Sequence, residues 1–159
     1  MRELFTSILG NLGIRDISVA SNGQEAFESF KKHNQDIVFS DWLMDPVDGL
    51  ELTHEIRTNT LSPNRMVPII LITGYSAWSR VEKARDTGVT EFLIKPFTAN
   101  DIARRLAHVI THPRQYIEVD NFFGPDRRRK ADQSYNGPLR RLEDEKAYDP
   151  DELKQRGTK

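Results

Sequence analysis

The sequence predicts an α/β fold: a doubly wound, open sheet of parallel strands with helices on both faces. Short β-rich apolar runs alternate with segments whose apolar residues recur at the helical period of 3.6. The runs at 36–41 and 67–74 are apolar on both faces, which is typical of strands covered by helices on each side. Such alternation needs crossover connections, and these join parallel strands.

The elements are expected in the order αβαβαβαβα. The first helix carries one apolar stripe and ends at Gly13; the stripe consists of Leu4, Phe5, Ile8, Leu9 and Leu12. The following elements are a strand at 16–21, a helix after Asn22-Gly23, a strand at 36–41, a helix after Asp48-Gly49 that ends near Pro63, a strand at 67–74, a helix over 76–87, a strand at 91–95 and a helix over 98–112.

Composition excludes several classes of protein. The 159 residues include 23 Lys plus Arg against 24 Asp plus Glu, so the net charge of −1 gives no global field for nucleic acid. With no cysteine there is no disulfide framework, thiolate nucleophile or Cys-based zinc site. The chain has no apolar run approaching the roughly 18 residues of a membrane span and no signal peptide at its start, so a cytoplasmic location is expected.

Two regions are expected, a compact domain over 1–112 and a charged tail over 113–159. The part from 124 onward is predicted to lack a fixed fold, because a base-rich block to Arg141 and an acidic block from Leu142 leave little to bury. Such a tail is too polar for a DNA-binding module. Its segment FFGPDRRRK, from Phe122 to Lys130, is either a solvated linker or a docking peptide anchored by Phe122 and Phe123.

Three polar residues follow apolar strands directly: Asp41, Thr73 and Lys95. Ligands of open parallel sheets bind at the carboxyl ends of the strands, so all three are expected at one edge. Singly, each is more typical of a cap, a strand residue or a surface charge. Together they provide a nucleophile, a hydroxyl donor and a cation, which suits phosphoryl transfer.

Other chemistries fit less well. His108 and His112 have the spacing of a zinc-binding pair, but Val109 stands where H-E-x-x-H has Glu. A haloacid-dehalogenase-like phosphatase has a second Asp two residues after the first, and that position here is Leu43. No phosphate-cradling G-x-x-x-x-G-K-[ST] or G-x-G-x-x-G motif occurs.

Over residues 1 to about 112 the chain resembles a response-regulator receiver domain of two-component signalling. The resemblance lies in SNGQEAF, SDWLMDPVDG, LITG and FLIKPF. It implies a flavodoxin-like fold with strand order 2-1-3-4-5, phosphorylation of Asp41 by a sensor histidine kinase or phosphotransfer protein, and contacts to the phosphoryl group from Thr73, Gly74 and Lys95. It also implies a switch role for the aromatic Phe92 and a cis Lys95-Pro96 bond.

The resemblance further implies Mg²⁺ bound by Asp41 and the backbone carbonyl of Leu43. Such a module is not an enzyme, although it assists its own phosphorylation and dephosphorylation. Its output would come from contact with a downstream protein target or from homodimerisation, with no DNA-binding domain and no membrane.

Two departures qualify these expectations. The family's first strand, with the acidic pair that binds Mg²⁺, is absent from this sequence, so Mg²⁺ binding is expected to be weakened or lost. A start upstream of Met1 explains this, and a receiver with re-paired strands is the alternative. Asp45 adds an acid near Asp41, and a solvated loop position is favoured for it. Because the acidic pair is absent, a phosphorylation-independent adaptor is the alternative function.

Overall fold

The computed structural model describes residues 2–74, 78–119 and 122–126. Its helices and strands are α1 Arg2–Asn11, α2 Gly23–His33, β1 Val38–Asp41, α3 Gly49–Thr58, β2 Ile69–Thr73, α4 Trp78–Thr87, β3 Glu91–Ile94, α5 Ala99–Thr111, β4 Tyr116–Val119 and β5 Phe122–Pro125. None of the helices in these ranges has the length and apolarity that crossing a bilayer requires.

A parallel sheet in the order β1-β2-β3 forms the centre of the fold. Every residue of β2 is buried, as expected for a strand with a neighbour on each side and helices on each face. α1 and α5 pack on one face around Ile70 and Ile72. α2 and α3 cover the other face around Ile69, and a third apolar cluster lies between α3 and α4. The predicted α/β class with a parallel sheet is confirmed.

The prediction of a strand at 16–21 is wrong, because no strand precedes Val38 in the described part of the chain. A strand exists only through hydrogen bonds to a neighbouring strand, and no strand of the described ranges pairs with 16–21. Ile14 and Ile17 still pack against the α1–α5 cluster. Within the predicted strand, Ile17 is therefore partly buried without strand pairing, whereas Val19 is 51% exposed.

The predicted stripe on α1 is correct only in part. Leu9 is buried and Phe5 packs edge-on against Phe39 at 4.9 Å, but Leu4 and Leu12 are 64% and 43% exposed. The periodicity identified the helix correctly. Fewer residues of the apolar stripe contact the sheet than the periodicity predicted.

The chain does not stop folding at residue 112. β4 and β5 form an antiparallel hairpin, so the expectation of a tail without structure from 113, or from 124, is wrong as far as Asp126. The hairpin is held by long-range contacts to α3 and α4, which local sequence does not encode. The rest of the predicted tail, 127–159, lies outside the described residues.

Candidate functional site

Asp41 and Lys95 meet at the carboxyl edge of the sheet. Asp41 is the last residue of β1, and Lys95 follows β3 directly. Lys95 Nζ lies 2.5 Å from Asp41 Oδ2, and the two side chains are 27% and 30% exposed. The parallel register explains this meeting, since Asp41 pairs with Ile72 and the next residue of β2 pairs with Ile94. A half-exposed carboxylate beside a fixed ammonium is open to a ligand and has its charge compensated.

Thr73 ends β2 between these two residues. It is 1% exposed, and its carbonyl accepts the Lys95 backbone N–H at 2.8 Å. Gly74 follows at the exposed edge, where a Cβ would meet nothing within 4 Å. The structure therefore brings Asp41, Thr73, Gly74 and Lys95 to one edge of the sheet, as the sequence predicted for Asp41, Thr73 and Lys95.

The loop from Trp42 to Asp48 is fixed against Asp41. The Leu43 backbone N–H donates to Asp41 Oδ1 at 3.3 Å, and the Gly49 N–H donates to the Trp42 carbonyl at 3.0 Å. A Cβ on Gly49 would lie 2.3 Å from the Asp41 carbonyl oxygen, so only glycine fits there. Asp48 begins α3 with a capping box, in which its side chain accepts from Leu50 and Glu51.

Asp45 is an exposed residue of this loop, in keeping with a solvated acid. The Asp45-Pro46 and Lys95-Pro96 bonds are both cis. The cis form was expected at the second of these bonds.

Phe92, the predicted switch residue, is partly buried against the cluster between α3 and α4. This cluster contains Trp42, Leu50, Leu71, Ala84 and Val89. Trp42 is 7% exposed and follows Asp41 in the chain. Phe92 therefore packs against the same apolar cluster that contains Trp42, the residue next to Asp41, which sequence spacing did not indicate.

The residues present make only part of a Mg²⁺ site. Mg²⁺ prefers six oxygen ligands in octahedral geometry and is usually held by one or two carboxylates, with water filling other positions. Within the described ranges no group of three or more Asp, Glu, His or Cys side chains comes close enough to hold a metal. Asp41 provides one carboxylate and Leu43 one carbonyl, and Lys95 already contacts one carboxylate oxygen. The donor set does not fit a tightly bound resident ion.

His108 and His112 stack with ring centroids 4.9 Å apart, and His108 Nε2 lies 3.6 Å from Glu91 Oε1. Glu91 is 1% exposed and is held by Arg105 at 2.9 Å and Arg114 at 3.6 Å. This ion-pair group lies at the amino end of β3, at the other end of that strand from Lys95.

Sequence reasoning did not identify Arg57. This residue of the last turn of α3 is 1% exposed, and burial lowers its pKa to about 10, with a smaller opposing effect from Tyr116. An arginine near a helix end is ordinarily a solvated complement to the helix dipole, so the sequence carried no signal of burial.

Comparison with known proteins agrees with this geometry. The family model described as a response regulator receiver domain matches residues 1–107. The transcriptional regulatory protein PdtaR of Mycobacterium tuberculosis is 32% identical over 120 residues, which are 76% of this chain but only 56% of PdtaR. The chemotaxis protein CheY1 of Helicobacter pylori is 31% identical over 111 residues, covering 69% of this chain and 88% of CheY1.

Solved structures agree as well. The receiver domain of the sensor histidine kinase PA1611 from Pseudomonas aeruginosa, solved with magnesium in its active-site cleft, is 27% identical, with a TM-score of 0.62 over 69% of this chain and 88% of that one. A response regulator structure from Chloroflexus aurantiacus, at 23% identity and a TM-score of 0.63 over 70% of this chain and 88% of that one, shares the fold. The matched relatives are signalling regulators and not classical enzymes. The chain belongs to the response regulator receiver domains of two-component signalling.

Proposed function

We propose that this receiver domain accepts a phosphoryl group on Asp41 and signals through contact with another protein. The observation that carries the proposal is the ion pair between Asp41 and Lys95 at the carboxyl edge of the sheet, beside the buried Thr73. A carboxylate there is half exposed to a donor, while the cation that would balance an added phosphoryl charge is already in contact.

The proposed step is a transfer to the carboxylate oxygen. An oxygen of Asp41 attacks phosphorus, the bond from phosphorus to the donor breaks, and the donor leaves with the bonding electron pair. The product is an acyl phosphate on Asp41. Lys95 offsets the negative charge of the phosphoryl oxygens, while the Thr73 hydroxyl and the Gly74 backbone N–H are the proposed hydrogen-bond donors to them.

Mg²⁺ in solution would supply further charge compensation at this site when bound, with Asp41 and the Leu43 carbonyl as the protein ligands from this chain. Because the donor set is incomplete, we expect Mg²⁺ to bind weakly. The proposed donor is a histidine kinase or a phosphotransfer protein, the class of partner with which receiver domains interact. The proposed output is a downstream protein target or a second copy, with Phe92 turning inward when Thr73 moves toward the phosphoryl group.

Asp41→Asn should abolish the phosphoryl adduct that the native chain forms with acetyl phosphate and Mg²⁺, as measured by intact mass. Asparagine has nearly the same shape but lacks the nucleophilic carboxylate. Asp45→Asn is the matched control, since it removes an exposed acid four residues along the same loop and should leave the adduct intact. An adduct that persists in Asp41→Asn would place the phosphoryl group elsewhere.

The incomplete metal site favours a second candidate, a phosphorylation-independent adaptor that uses the receiver surface only for binding. The same measurement separates the two functions. If the native chain forms no adduct at saturating Mg²⁺ and acetyl phosphate, the adaptor is supported and the phosphoacceptor role is excluded.

A further inference from the structure

The C-terminal hairpin is docked through the buried guanidinium of Arg57. Arg57 Nε and Nη2 donate to the Gly88 carbonyl at 3.1 and 3.0 Å, and Nη1 donates to the Arg65 carbonyl at 2.7 Å. Tyr116 of β4 closes the site, with its hydroxyl 3.4 Å from Nη2 and its ring centroid 5.2 Å from the guanidinium carbon. Within the described part of the chain Arg57 has no carboxylate partner.

Two further contacts hold the hairpin in the same place. Arg65 lies 4.0 Å over the Phe123 ring and pairs with Glu118 at 3.2 Å. Gly124 approaches the turn after α4 so closely that a Cβ on it would lie 3.0 Å from the Gly88 Cα. The hairpin therefore bridges the last turn of α3 and the Gly88–Thr90 turn that leads into β3.

Both bridged elements contact Asp41 at their opposite ends. α3 begins at Gly49, against the Asp41 carbonyl, and Arg57 lies eight residues further along it, about 12 Å away at a rise of 1.5 Å per residue. β3 begins just after Thr90 and leads directly to Lys95, which pairs with Asp41 Oδ2. A change of charge at Asp41 acts on the amino end of α3 and, through Lys95, on the carboxyl end of β3. The hairpin contacts the opposite ends of α3 and β3 and depends on their relative position.

The hairpin depends on these contacts for its own order. An isolated two-stranded hairpin is at best marginally stable in water, and each strand here has four residues. The hydrogen bonds from Arg57 to the Gly88 and Arg65 carbonyls are 2.7–3.1 Å long, within the ordinary range, so a relative shift of α3 and β3 lengthens and weakens them. Resting on the proposed function, we propose that the hairpin at 116–125 is a clasp on α3 and β3 that loosens when Asp41 is phosphorylated, which makes it an output element of this chain.

Amide hydrogen exchange on the full chain, read by mass spectrometry, tests the clasp. Acetyl phosphate with Mg²⁺ should speed exchange in peptides covering 113–126 by about fivefold or more, the lower end of ordinary coupling between sites. Exchange in α2 should not change, and Asp41→Asn should abolish the response. An adduct confirmed by intact mass, with hairpin exchange unchanged, would overturn the clasp and leave the phosphoacceptor role standing.

A second hydrogen-exchange experiment tests the clasp without phosphorylation. Lys95→Met removes the ion pair at Asp41 and should also speed exchange in the hairpin, whereas Lys31→Met, which removes the 2.6 Å pair with Glu28 on α2, should not. If no adduct forms but Lys95→Met loosens the hairpin, the coupling is supported and the proposed phosphorylation fails. Unchanged hairpin exchange in Lys95→Met, or equal acceleration in α2, would overturn the clasp.

Thermodynamic linkage between phosphorylation of Asp41 and loosening of the hairpin gives a further test of the clasp. If phosphorylation loosens the hairpin by some factor, loosening the hairpin must favour the phosphorylated-like state by up to the same factor. Tyr116→Ala should therefore tighten binding of beryllofluoride, a phosphoryl stand-in, and Tyr116→Phe, which keeps the ring over Arg57, should tighten it less. Equal affinities in the native chain and Tyr116→Ala would contradict the coupling.

Discussion

At the scale of single residues, Gly49 allows α3 to pack directly against the end of β1 at Asp41. Its missing side chain lets α3 begin against the Asp41 carbonyl, and a Cβ would also lie 2.7 Å from Leu71 Cδ1. The backbone oxygen at 2.3 Å cannot move aside without shifting β1. The position of β1, which ends at Asp41, and that of the first turn of α3 are therefore set together.

Gly49→Ala should lower the free energy of unfolding by about 1–3 kcal/mol, the usual cost of overpacking, measured by urea denaturation. Gly10→Ala is the matched control. Gly10 lies inside α1, where a Cβ meets nothing within 4 Å, so alanine should stabilise the helix by about 0.5–1 kcal/mol. A neutral Gly49→Ala would mean that the junction of β1 and α3 is free to relax.

At the scale of elements, α5 shows how a helix start is fixed. Thr98 accepts from the Asp101 backbone N–H, and the Asp101 carboxylate accepts from the Thr98 backbone N–H at 2.8 Å and from its hydroxyl at 2.7 Å. Hydrogen bonds from the Thr98 backbone and side chain, and then one from Arg104, lower the pKa of Asp101 from 3.8 to about 2. Capping of this kind begins the helix that packs Ile102 and Leu106 on the sheet.

The lowered pKa of Asp101 sets a pH window. A carboxylate whose folded pKa lies below its unfolded value stabilises the fold above the unfolded pKa, and that contribution is lost as pH falls through the folded pKa. Asp101→Asn should therefore reduce stability at pH 5 to 7, with the difference from the native chain shrinking between about pH 4 and 2. Urea denaturation of both chains across this range is the measurement, and a difference independent of pH would exclude the carboxylate as its cause.

At the scale of the whole molecule, the described fold extends beyond the family match. The match ends at residue 107, and the hairpin that follows α5 returns to cover Arg57, Gly88 and Thr90 at the amino end of β3. These contacts are far from Asp41 along α3 but belong to the same packed body. The folding unit therefore includes the hairpin.

A chain ending at residue 126 should melt at the temperature of the full chain, whereas a chain ending at residue 112 should be less stable by about 1–3 kcal/mol. The shorter chain loses the cation–π contacts of Tyr116 and Phe123, each worth roughly 0.5–2 kcal/mol. Thermal melts followed by circular dichroism compare the three chains. Equal melting temperatures for all of them would return the domain boundary to residue 112.

The sequence by itself determined the parallel α/β class, the three strands of the sheet and the edge at which Asp41, Thr73 and Lys95 meet. These features follow from local signals, since apolar runs define strands and parallel strands end at one edge. The ends of α1, α4 and α5 were predicted to within two residues from Gly and capping residues, whereas α3 ends at Thr58, five residues before the Pro63 at which its end was expected.

Only the tertiary structure decided three other features: the unpaired segment at 14–20, the buried charge of Arg57 and the docked hairpin. Each depends on a partner distant in the chain. An apolar alternating run becomes a strand only beside a neighbour, and a guanidinium is buried only where carbonyls such as those of Gly88 and Arg65 converge on it. Tyr116 and Gly88 meet over Arg57 because the chain returns there after α5, and no local pattern records that return.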